Sequence, residues 1–378
     1  MRMVMEGSHA VAEAVRLVGP KVIAAYPITP QTHIVEKLAE LVANGELDAE
    51  YLNMESEHSA MAACIGAQAT GVRTYTATCS QGLALMWELL HVASGMRLPI
   101  VMGVTNRALS APLNIWNDWS DAIGCRDTGW AQLWVVSVQE AFDATLQAYK
   151  IAESVQMPVM VCMDGFYLSH VYEPLDIATE AAVRHFVGDY RPQFVLDPAN
   201  PISLGEYATP EHFQEFKAEQ QQAMDGARSI IVRTNEEFGS AFGRKYGDGL
   251  IETFNMPAPN VIVTMGSVVG TMKHAIKANG IRDVGIVRVR SYRPFPSEEL
   301  RRALAEAKNV GVFEKDVSLG IGGALWSEVK AFVDKPVASF VGGLGGRDIG
   351  PKWVEKMFNT LRAGDTGFHW IEGDKVRL

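Results

Sequence analysis

The chain has 378 residues, of which 48% are hydrophobic and 21% charged, and its formal net charge is −10 at pH 7. This composition is ordinary for a globular protein of about two domains, and the acidic balance argues against nucleic acid as the main partner. The sequence contains no run of about 18 apolar residues, the length needed to cross a membrane. The N-terminal residues lack the continuous apolar stretch of a secretory signal. We therefore expect a cytoplasmic protein.

The first half of the chain alternates helical patterns with short apolar runs. Helices are predicted at residues 7–18, 32–43, 56–71, 80–96 and 139–154. Strands are predicted between them, at residues 22–25, 49–54, 73–79, 98–105 and 157–164. Continuous apolar strands separated by helices indicate a parallel sheet covered on both faces.

This regular pattern then ends. Residues 171–212, rich in proline and aromatic side chains, are predicted to form an irregular excursion over the surface or a partner, and residues 211–242 a polar helix. A linker containing glycine and proline at residues 243–259 marks the predicted domain boundary. Because the alternation of strand and helix patterns resumes beyond it, the sequence predicts an α/β chain with a first domain at residues 1–242 and a smaller one at residues 260–378.

The four cysteines are Cys64, Cys79, Cys125 and Cys162. No pair has the C-x-x-C spacing of a zinc or iron–sulfur site, and each lies among apolar or small residues. The sequence predicts buried free thiols in a reducing compartment. No metal-ligating residue is expected in this chain.

Polar residues follow several of the predicted strands. Thr29 lies in a segment with Pro27 and Pro30 after the first strand, and ligands of parallel sheets bind at the carboxyl ends of the strands. A rigid turn that needs only the two prolines is the alternative. Glu55 and Glu57 lie at the start of a helix rich in small residues, which let a backbone or a flat ligand approach closely. Acids that merely favour a helix N-terminus are the alternative there.

The next two strands also end in polar residues. Ser80, Gln81 and Gly82 begin a helix, where small polar groups can contact an anion or a ring. Arg107 follows the strand after that, and its planar group suits a carboxylate through a two-point fork. A surface arginine is the alternative.

In chain order these motifs resemble the alpha subunit of pyruvate:ferredoxin oxidoreductase and related 2-oxo acid oxidoreductases. The resemblance covers nearly the whole chain. Each motif is weak alone, but the ordered set is specific. The motifs are YPITP, ESEHSA, TATCSQGLALM, GMRLPIV, NRALSAPLNIWNDWSD, RDTGW, YRPFP, EKD and GLGGRD.

The resemblance implies a pyrimidine-binding domain of thiamine diphosphate enzymes, followed by a domain like the C-terminal domain of transketolase. It implies oxidative decarboxylation of pyruvate with coenzyme A to acetyl-CoA, CO2 and reduced ferredoxin, or the reverse carboxylation. It assigns magnesium, the diphosphate-binding domain and a [4Fe–4S] cluster to a beta-type subunit, and further clusters to gamma- and delta-type subunits. The chain would then be active only with these partners.

The same resemblance implies roles for individual residues. Glu57 matches the glutamate that hydrogen-bonds N1′ of the aminopyrimidine, and Thr29 and Arg107 match residues that contact the substrate. Cofactor contacts are also implied for four neighbouring residues, Pro27, Ile28, Ser80 and Gln81. Gly247–Asp248–Gly249 resembles the start of the Gly-Asp-Gly…Asn motif that holds magnesium and diphosphate. It lies in the linker without the later asparagine, so we interpret it as a turn.

The sequence departs from the family pattern at Gln31–Thr32, Cys79, Trp119 and Ser137–Val138. These departures leave a branched-chain or aromatic 2-oxo acid, or 2-oxoglutarate, open as the substrate. A complete thiamine enzyme of another type would need the diphosphate-binding half, which is not found. A non-catalytic assembly subunit is a further alternative, against which the presence of Glu57 and Arg107 counts.

Overall fold

A computed structural model describes residues 2–371, and its strands form two large sheets and one two-stranded ribbon. The strands are β1 (Arg2–Glu6), β2 (Val22–Ala25), β3 (Glu50–Asn53), β4 (Thr74–Thr78), β5 (Val101–Asn106), β6 (Ala131–Trp134), β7 (Val159–Asp164), β8 (Tyr172–Asp176), β9 (Ile251–Phe254), β10 (Asn260–Thr264), β11 (Val284–Val289), β12 (Ser291–Arg293), β13 (Asn309–Glu314), β14 (Val337–Val341) and β15 (Phe368–Trp370).

Helices cover both large sheets. They are α1 (Gly7–Val18), α2 (Thr32–Ala43), α3 (Glu57–Ala69), α4 (Ser80–Leu85), α5 (Trp87–Gly95), α6 (Ser120–Gly124), α7 (Val138–Val155), α8 (Glu180–Val187), α9 (Pro210–Phe242), α10 (Val268–Ala278), α11 (Ser297–Leu304), α12 (Ala324–Phe332) and α13 (Pro351–Arg362). Within the described part of the chain, none of them combines the length and apolar character needed to cross a membrane.

The first sheet has the strand order β12-β6-β7-β5-β4-β2-β3. All its strands from the first half run parallel, with Val101 of β5 paired to Val159 of β7 and to Tyr75 of β4. Every residue of β4, β5 and β7 is buried. Their apolar runs are therefore explained by helices on both faces, as the sequence predicted.

The second sheet has the order β15-β14-β13-β10-β11-β9, parallel except for β9 at one edge. The predicted α/β fold class is confirmed. The two halves of the chain do not form the two sheets separately. The strand β12 follows β11 of the second sheet directly, yet it pairs with β6 of the first sheet. The predicted linker at residues 243–259 also contains a strand, β9.

Two predictions about local structure were wrong. Residues 171–212 do not begin irregularly, since they contain β8 and α8. The strand β8 escaped notice because it includes Pro174 and pairs only with β1, about 170 residues earlier in the chain. The helix predicted at residues 80–96 is two helices, divided at Met86.

A buried ion network connects the two sheets. Arg288 donates from Nη2 to both carboxylate oxygens of Glu140 at 2.6 Å, and Arg290 donates from Nε to Oε1 at 2.9 Å. All three side chains are at most 1% exposed. Glu140 lies in the first turn of α7, whereas the arginines lie on and just after β11. Arg288 also pairs with Glu252 at 2.9 Å, so the network is close to charge balance.

We predict that Glu140→Gln strongly destabilises the chain. Removing one member of a buried ion pair leaves an uncompensated charge, which typically costs about 3–5 kcal/mol. The free energy of unfolding, measured in urea by fluorescence and circular dichroism, should fall by that amount. The matched control is Glu180→Gln, which removes an exposed partner of Arg184 and should change stability by less than about 0.5 kcal/mol. A similar effect of both substitutions would contradict the prediction.

Candidate active site

The carboxyl ends of β2, β3, β4 and β5 bring the predicted site residues to one edge of the first sheet. Thr29 follows β2, Glu57 follows β3, Ser80 follows β4 and Arg107 follows β5. Contacts between these segments confirm that they are close in space. The Nη1 atom of Arg107 donates to the main-chain oxygen of Thr29 at 2.9 Å, and Glu57 packs against Gly82 of α4.

The loop of residues 26–31 is held against β4 by one buried amide. Gln31 is fully buried and donates from Nε2 to the main-chain oxygen of Ala77 at 2.8 Å. Its Oε1 accepts from the main-chain nitrogen of Ile28 at 3.2 Å. These two bonds of Gln31 hold the loop against β4, and Pro27 and Thr29 on the loop are exposed. Gln31 was noted in the sequence only as a departure from the family pattern.

Glu57 is the first residue of α3, and its side chain is 7% exposed. Ser56 caps this helix by accepting from the main-chain nitrogen of Ser59 at 3.2 Å, so Glu57 is not needed as the cap. None of the hydrogen bonds formed by the described residues uses the carboxylate of Glu57. The alternative, an acid that merely favours the helix N-terminus, fits Glu55 better, since Glu55 is exposed and accepts from the hydroxyl of Ser59.

The space beside Glu57 depends on the absence of a side chain at position 82. A Cβ atom on Gly82 would lie 2.6 Å from Oε1 and 2.7 Å from Cγ of Glu57. It would also collide with the hydroxyl of Thr78, which is buried without a hydrogen-bond partner. The site thus contains a buried hydroxyl, beside a carboxylate of a largely buried residue, and the described protein atoms pair with neither.

Arg107 is 7% exposed and is partly engaged with the protein. Its Nε donates to the main-chain oxygen of Asn114 at 2.8 Å, in addition to the bond from Nη1 to Thr29. A guanidinium has five N–H donors, so the two on Nη2 and one on Nη1 remain. Donors for a carboxylate therefore remain on Nη2 and Nη1, while the bonds from Nε and Nη1 hold the two loops.

Asp121 organises this edge, and its role was missed in the sequence. One carboxylate oxygen accepts from the main-chain nitrogens of Ser80 and Arg107, both at 2.9 Å. The other accepts from Nδ2 of Asn106 at 2.9 Å and from the main-chain nitrogen of Ala122 at 2.7 Å. Burial raises the pKa of Asp121 to about 6, whereas these N–H donors oppose the rise by stabilising the charged form.

The side chains of Ser80 and Gln81 form hydrogen bonds within the protein. Ser80 has a φ of 47°, in the left-handed region, and is fully buried. Its hydroxyl lies 2.5 Å from the main-chain oxygen of Ala108 and 2.6 Å from Oε1 of Gln81. The main-chain bend at Ser80 turns the chain sharply from β4 into α4, and this bend positions Gly82 beneath Glu57.

At the same edge, a second buried ion pair joins the two sheets. Asp164, at the end of β7, accepts from Nζ of Lys315 at 3.1 Å, from Nε1 of Trp119 at 2.8 Å and from the main-chain nitrogen of Ser267 at 3.0 Å. Burial opposes the ionisation of this acid. The charge of Lys315 and the hydrogen bonds nevertheless hold the pKa of Asp164 below its ordinary value. Lys315 belongs to the EKD motif, whose position in the sequence indicated no such contact.

The positions that depart from the family pattern are mostly structural. Trp119 is fully buried against Asp164 and Trp134, and Ser137 caps α7 by accepting from the main-chain nitrogen of Glu140. Cys79 is different, because its thiol lies 3.2 Å from the main-chain oxygen of Thr29 and so contacts the loop of the site.

The Gly247–Asp248–Gly249 segment is a tight turn, as interpreted from the sequence. Oδ1 of Asp248 accepts from the main-chain nitrogens of Leu250 and Ile251 at 2.8 Å, and both glycines have positive φ angles. The carboxylate is therefore occupied by its own turn.

Comparisons with known proteins identify the family of the chain. Residues 13–236 match the family model described as pyruvate flavodoxin/ferredoxin oxidoreductase, thiamine-diphosphate-binding, and residues 258–354 match pyruvate:ferredoxin oxidoreductase core domain II. The chain is 52% identical to the pyruvate synthase subunit PorA of Methanocaldococcus jannaschii, with 97% of each chain covered. It is 43% identical to the ketoisovalerate oxidoreductase subunit VorA of Pyrococcus abyssi, with 92% of this chain and 90% of that one covered.

Two solved structures share the fold. The 2-oxoglutarate:ferredoxin oxidoreductase of Magnetococcus marinus has a TM-score of 0.77 at 20% identity, and the match covers 95% of this chain and 65% of that one. An inactive tetramer of a split-gene transketolase has a TM-score of 0.56 at 13% identity, covering 95% and 98%. Together with the family models and the sequence relatives, these findings show that the chain belongs to the pyruvate flavodoxin/ferredoxin oxidoreductase family.

Proposed function

We propose that this chain is the alpha-type subunit of a thiamine-diphosphate-dependent pyruvate:ferredoxin oxidoreductase. The complex would oxidatively decarboxylate pyruvate with coenzyme A to acetyl-CoA, CO2 and reduced ferredoxin, or run the reverse carboxylation. The observation that carries the proposal is Glu57, a residue only 7% exposed that packs against Gly82 on the same sheet edge as Arg107 and whose carboxylate forms no hydrogen bond among the described residues. Pyruvate is favoured because the relatives named pyruvate synthase subunits are more similar than those named for ketoisovalerate.

The residues of this edge fit the aminopyrimidine of thiamine diphosphate. A buried carboxylate needs a donor, and a protonated ring nitrogen of the aminopyrimidine is such a donor. The glycine at position 82 lets the Glu57 side chain pack directly against α4, where any larger residue would displace its carboxylate. When bound, the cofactor supplies a nucleophilic carbon and accepts the electrons released on decarboxylation.

Glu57 would hold a proton at N1′ of the aminopyrimidine. A short hydrogen bond in a dry environment shifts electron density in the ring and so favours proton movement at its 4′-amino group. Ser80 and Asp121 act only indirectly, since they bend and tie the main chain around Gly82. Pro27, Ile28 and Gln81 would form the walls that the ring contacts.

Arg107 would bind the carboxylate of the 2-oxo acid through its Nη1–Nη2 end, while its other donors hold the loop of Thr29. The exposed hydroxyl of Thr29 would then contact the substrate beside that carboxylate. Because every 2-oxo acid has this carboxylate, Arg107 orients the substrate without selecting its side chain.

The site would be completed by partner subunits. The Asp248 carboxylate is used within its own turn, so a beta-type subunit would supply magnesium, the diphosphate-binding domain and a [4Fe–4S] cluster, with gamma- and delta-type subunits, ferredoxin and coenzyme A as further partners. The loop that holds Arg107 exposes Leu113 (79%) and Trp116 (49%), apolar surface that supports coverage by a partner. The four free, buried cysteines fit a reducing compartment such as the cytoplasm.

The assembled complex tests this function. We expect acyl-CoA formation coupled to ferredoxin reduction, with the highest kcat/KM for pyruvate among pyruvate, branched-chain and aromatic 2-oxo acids and 2-oxoglutarate. The isolated chain should be colourless and inactive, with little affinity for thiamine diphosphate. A higher kcat/KM for another 2-oxo acid would make that acid the substrate in place of pyruvate. Stoichiometric iron in the isolated chain would contradict the proposal that the iron–sulfur clusters belong to partner subunits.

We predict that Glu57→Gln in the complex lowers kcat by about 100-fold or more, the usual scale of acid–base assistance. The amide keeps the size of the side chain but not its charge, so the complex should still assemble. Steady-state turnover and hydrogen–deuterium exchange at C2 of the cofactor measure the two effects. Glu55→Gln is the matched control, since Glu55 is exposed two residues away, and it should leave both rates unchanged. Normal exchange in Glu57→Gln would remove the proposed role.

We predict that Arg107→Ala lowers kcat/KM by roughly 30- to 4,000-fold, because losing a buried charged partner costs about 2–5 kcal/mol. Arg107→Lys should recover little of it, since lysine has no fork and cannot hold both loops. The loss should be similar for all accepted 2-oxo acids, whereas exchange at C2 of the cofactor should persist. Arg184→Lys, on the exposed face of α8, is the control. A wild-type kcat/KM in Arg107→Ala would show that another residue binds the substrate carboxylate.

A further inference from the structure

Three residues far apart in the sequence converge beside the loop of Thr29. Glu6 ends β1, His33 lies in the first turn of α2, and His170 lies after β7. One potential ligand atom from each lies within 4.8 Å of the other two, and the two imidazole rings are 4.4 Å apart between centroids. The sequence offered no sign of this group, because its members follow no ligand spacing.

Each of these side chains is oriented by a bond that leaves ligand capacity free. Glu6 is 5% exposed, with Oε1 at 2.6 Å from Nδ1 of His33 and Oε2 accepting from the hydroxyl of Tyr172 at 3.3 Å. The Nδ1 atom of His170 lies 2.8 Å from the hydroxyl of Ser169, so its Nε2 remains available. Ligating histidines and carboxylates are commonly held by such outer hydrogen bonds.

The group borders a cavity of about 200 Å³, lined by Thr29, Pro30, Thr32, His33, Glu36 and His170. Such a cavity has room for a water molecule as a further ligand. A simple ion pair between Glu6 and His33 would account for those two residues. It does not account for a second imidazole brought to 4.4 Å from the first, at the same carboxylate.

We propose that Glu6, His33 and His170 bind one divalent transition-metal ion of the zinc type, with water from the cavity completing a tetrahedral site. Two imidazoles and a carboxylate are a ligand set that Zn²⁺ prefers. Ligand bonds of about 2.0–2.2 Å place tetrahedral ligand atoms about 3.3 Å apart, so side-chain movements on the order of 1 Å close the site. The ion would cross-link β1, α2 and the segment after β7, next to the loop of Thr29.

The test uses the full, tag-free chain after treatment with EDTA, titrated with ZnCl2 by calorimetry in a buffer that does not bind metals. We expect one ion per chain and a raised midpoint of thermal unfolding, because a ligand that binds only the folded state stabilises it. His33→Ala and His170→Ala should each weaken binding by at least about 100-fold, and Tyr172→Phe by about 10-fold. His185→Ala and His212→Ala replace exposed histidines and should bind as the wild type does.

The wild-type chain alone can overturn the proposal, since absence of saturable Zn²⁺ binding would do so whatever the variants show. Equal affinity in His33→Ala, His170→Ala and the controls would place the ion elsewhere and overturn it as well. Circular dichroism in EDTA checks that the variants fold. If the variants do not fold, the absorption spectrum of the Co²⁺-loaded wild type tests the proposed tetrahedral site. Tetrahedral coordination by nitrogen and oxygen gives intense visible bands, whereas octahedral coordination does not and would overturn the proposal. None of these outcomes depends on the proposed oxidoreductase activity.

Discussion

The geometry of the candidate site depends on one buried carboxylate. Asp121 accepts the main-chain N–H groups that follow β4 and β5, so the ends of two neighbouring strands are tied to a single acid. The bend at Ser80 and the position of Arg107 both follow from it. A buried carboxylate with several N–H donors is a rigid junction, because no donor can leave without exposing an unpaired charge. The residue that holds the site together is therefore not one that faces it.

Buried charge also joins the two sheets. Glu140 accepts from Arg288 and Arg290, and Asp164 accepts from Lys315, in each case across the division between the halves of the chain. Such pairs often contribute less to stability than apolar side chains of similar volume would. Their hydrogen bonds, however, require a fixed position of each charged group relative to the other. Residues from the second half of the chain thereby fix the position of α7 and of the carboxyl end of β7.

The site looks like half of a composite centre. Among the described residues the carboxylate of Glu57 has no hydrogen-bond partner, Arg107 has donors left over, and the loop after Arg107 carries exposed apolar side chains. These features are costly in a chain that works alone and reasonable in one whose edge is covered by another subunit and a cofactor. The proposed Glu6–His33–His170 ion site borders the same loop, which a bound ion would stiffen.

The sequence by itself determined the α/β class, most helices and strands, and the edge on which Thr29, Glu57 and Arg107 meet, because apolar periodicity and strand ends are local signals. It also separated the turn at Asp248 from a diphosphate site. Only the tertiary structure decided what Asp121 does and that β8 pairs with β1. It likewise decided that β12 joins the first sheet and that Glu57 rather than Glu55 is buried. Each of these depends on contacts between residues distant in the chain, and hydrogen-bond partners of that kind leave no periodic trace in the sequence.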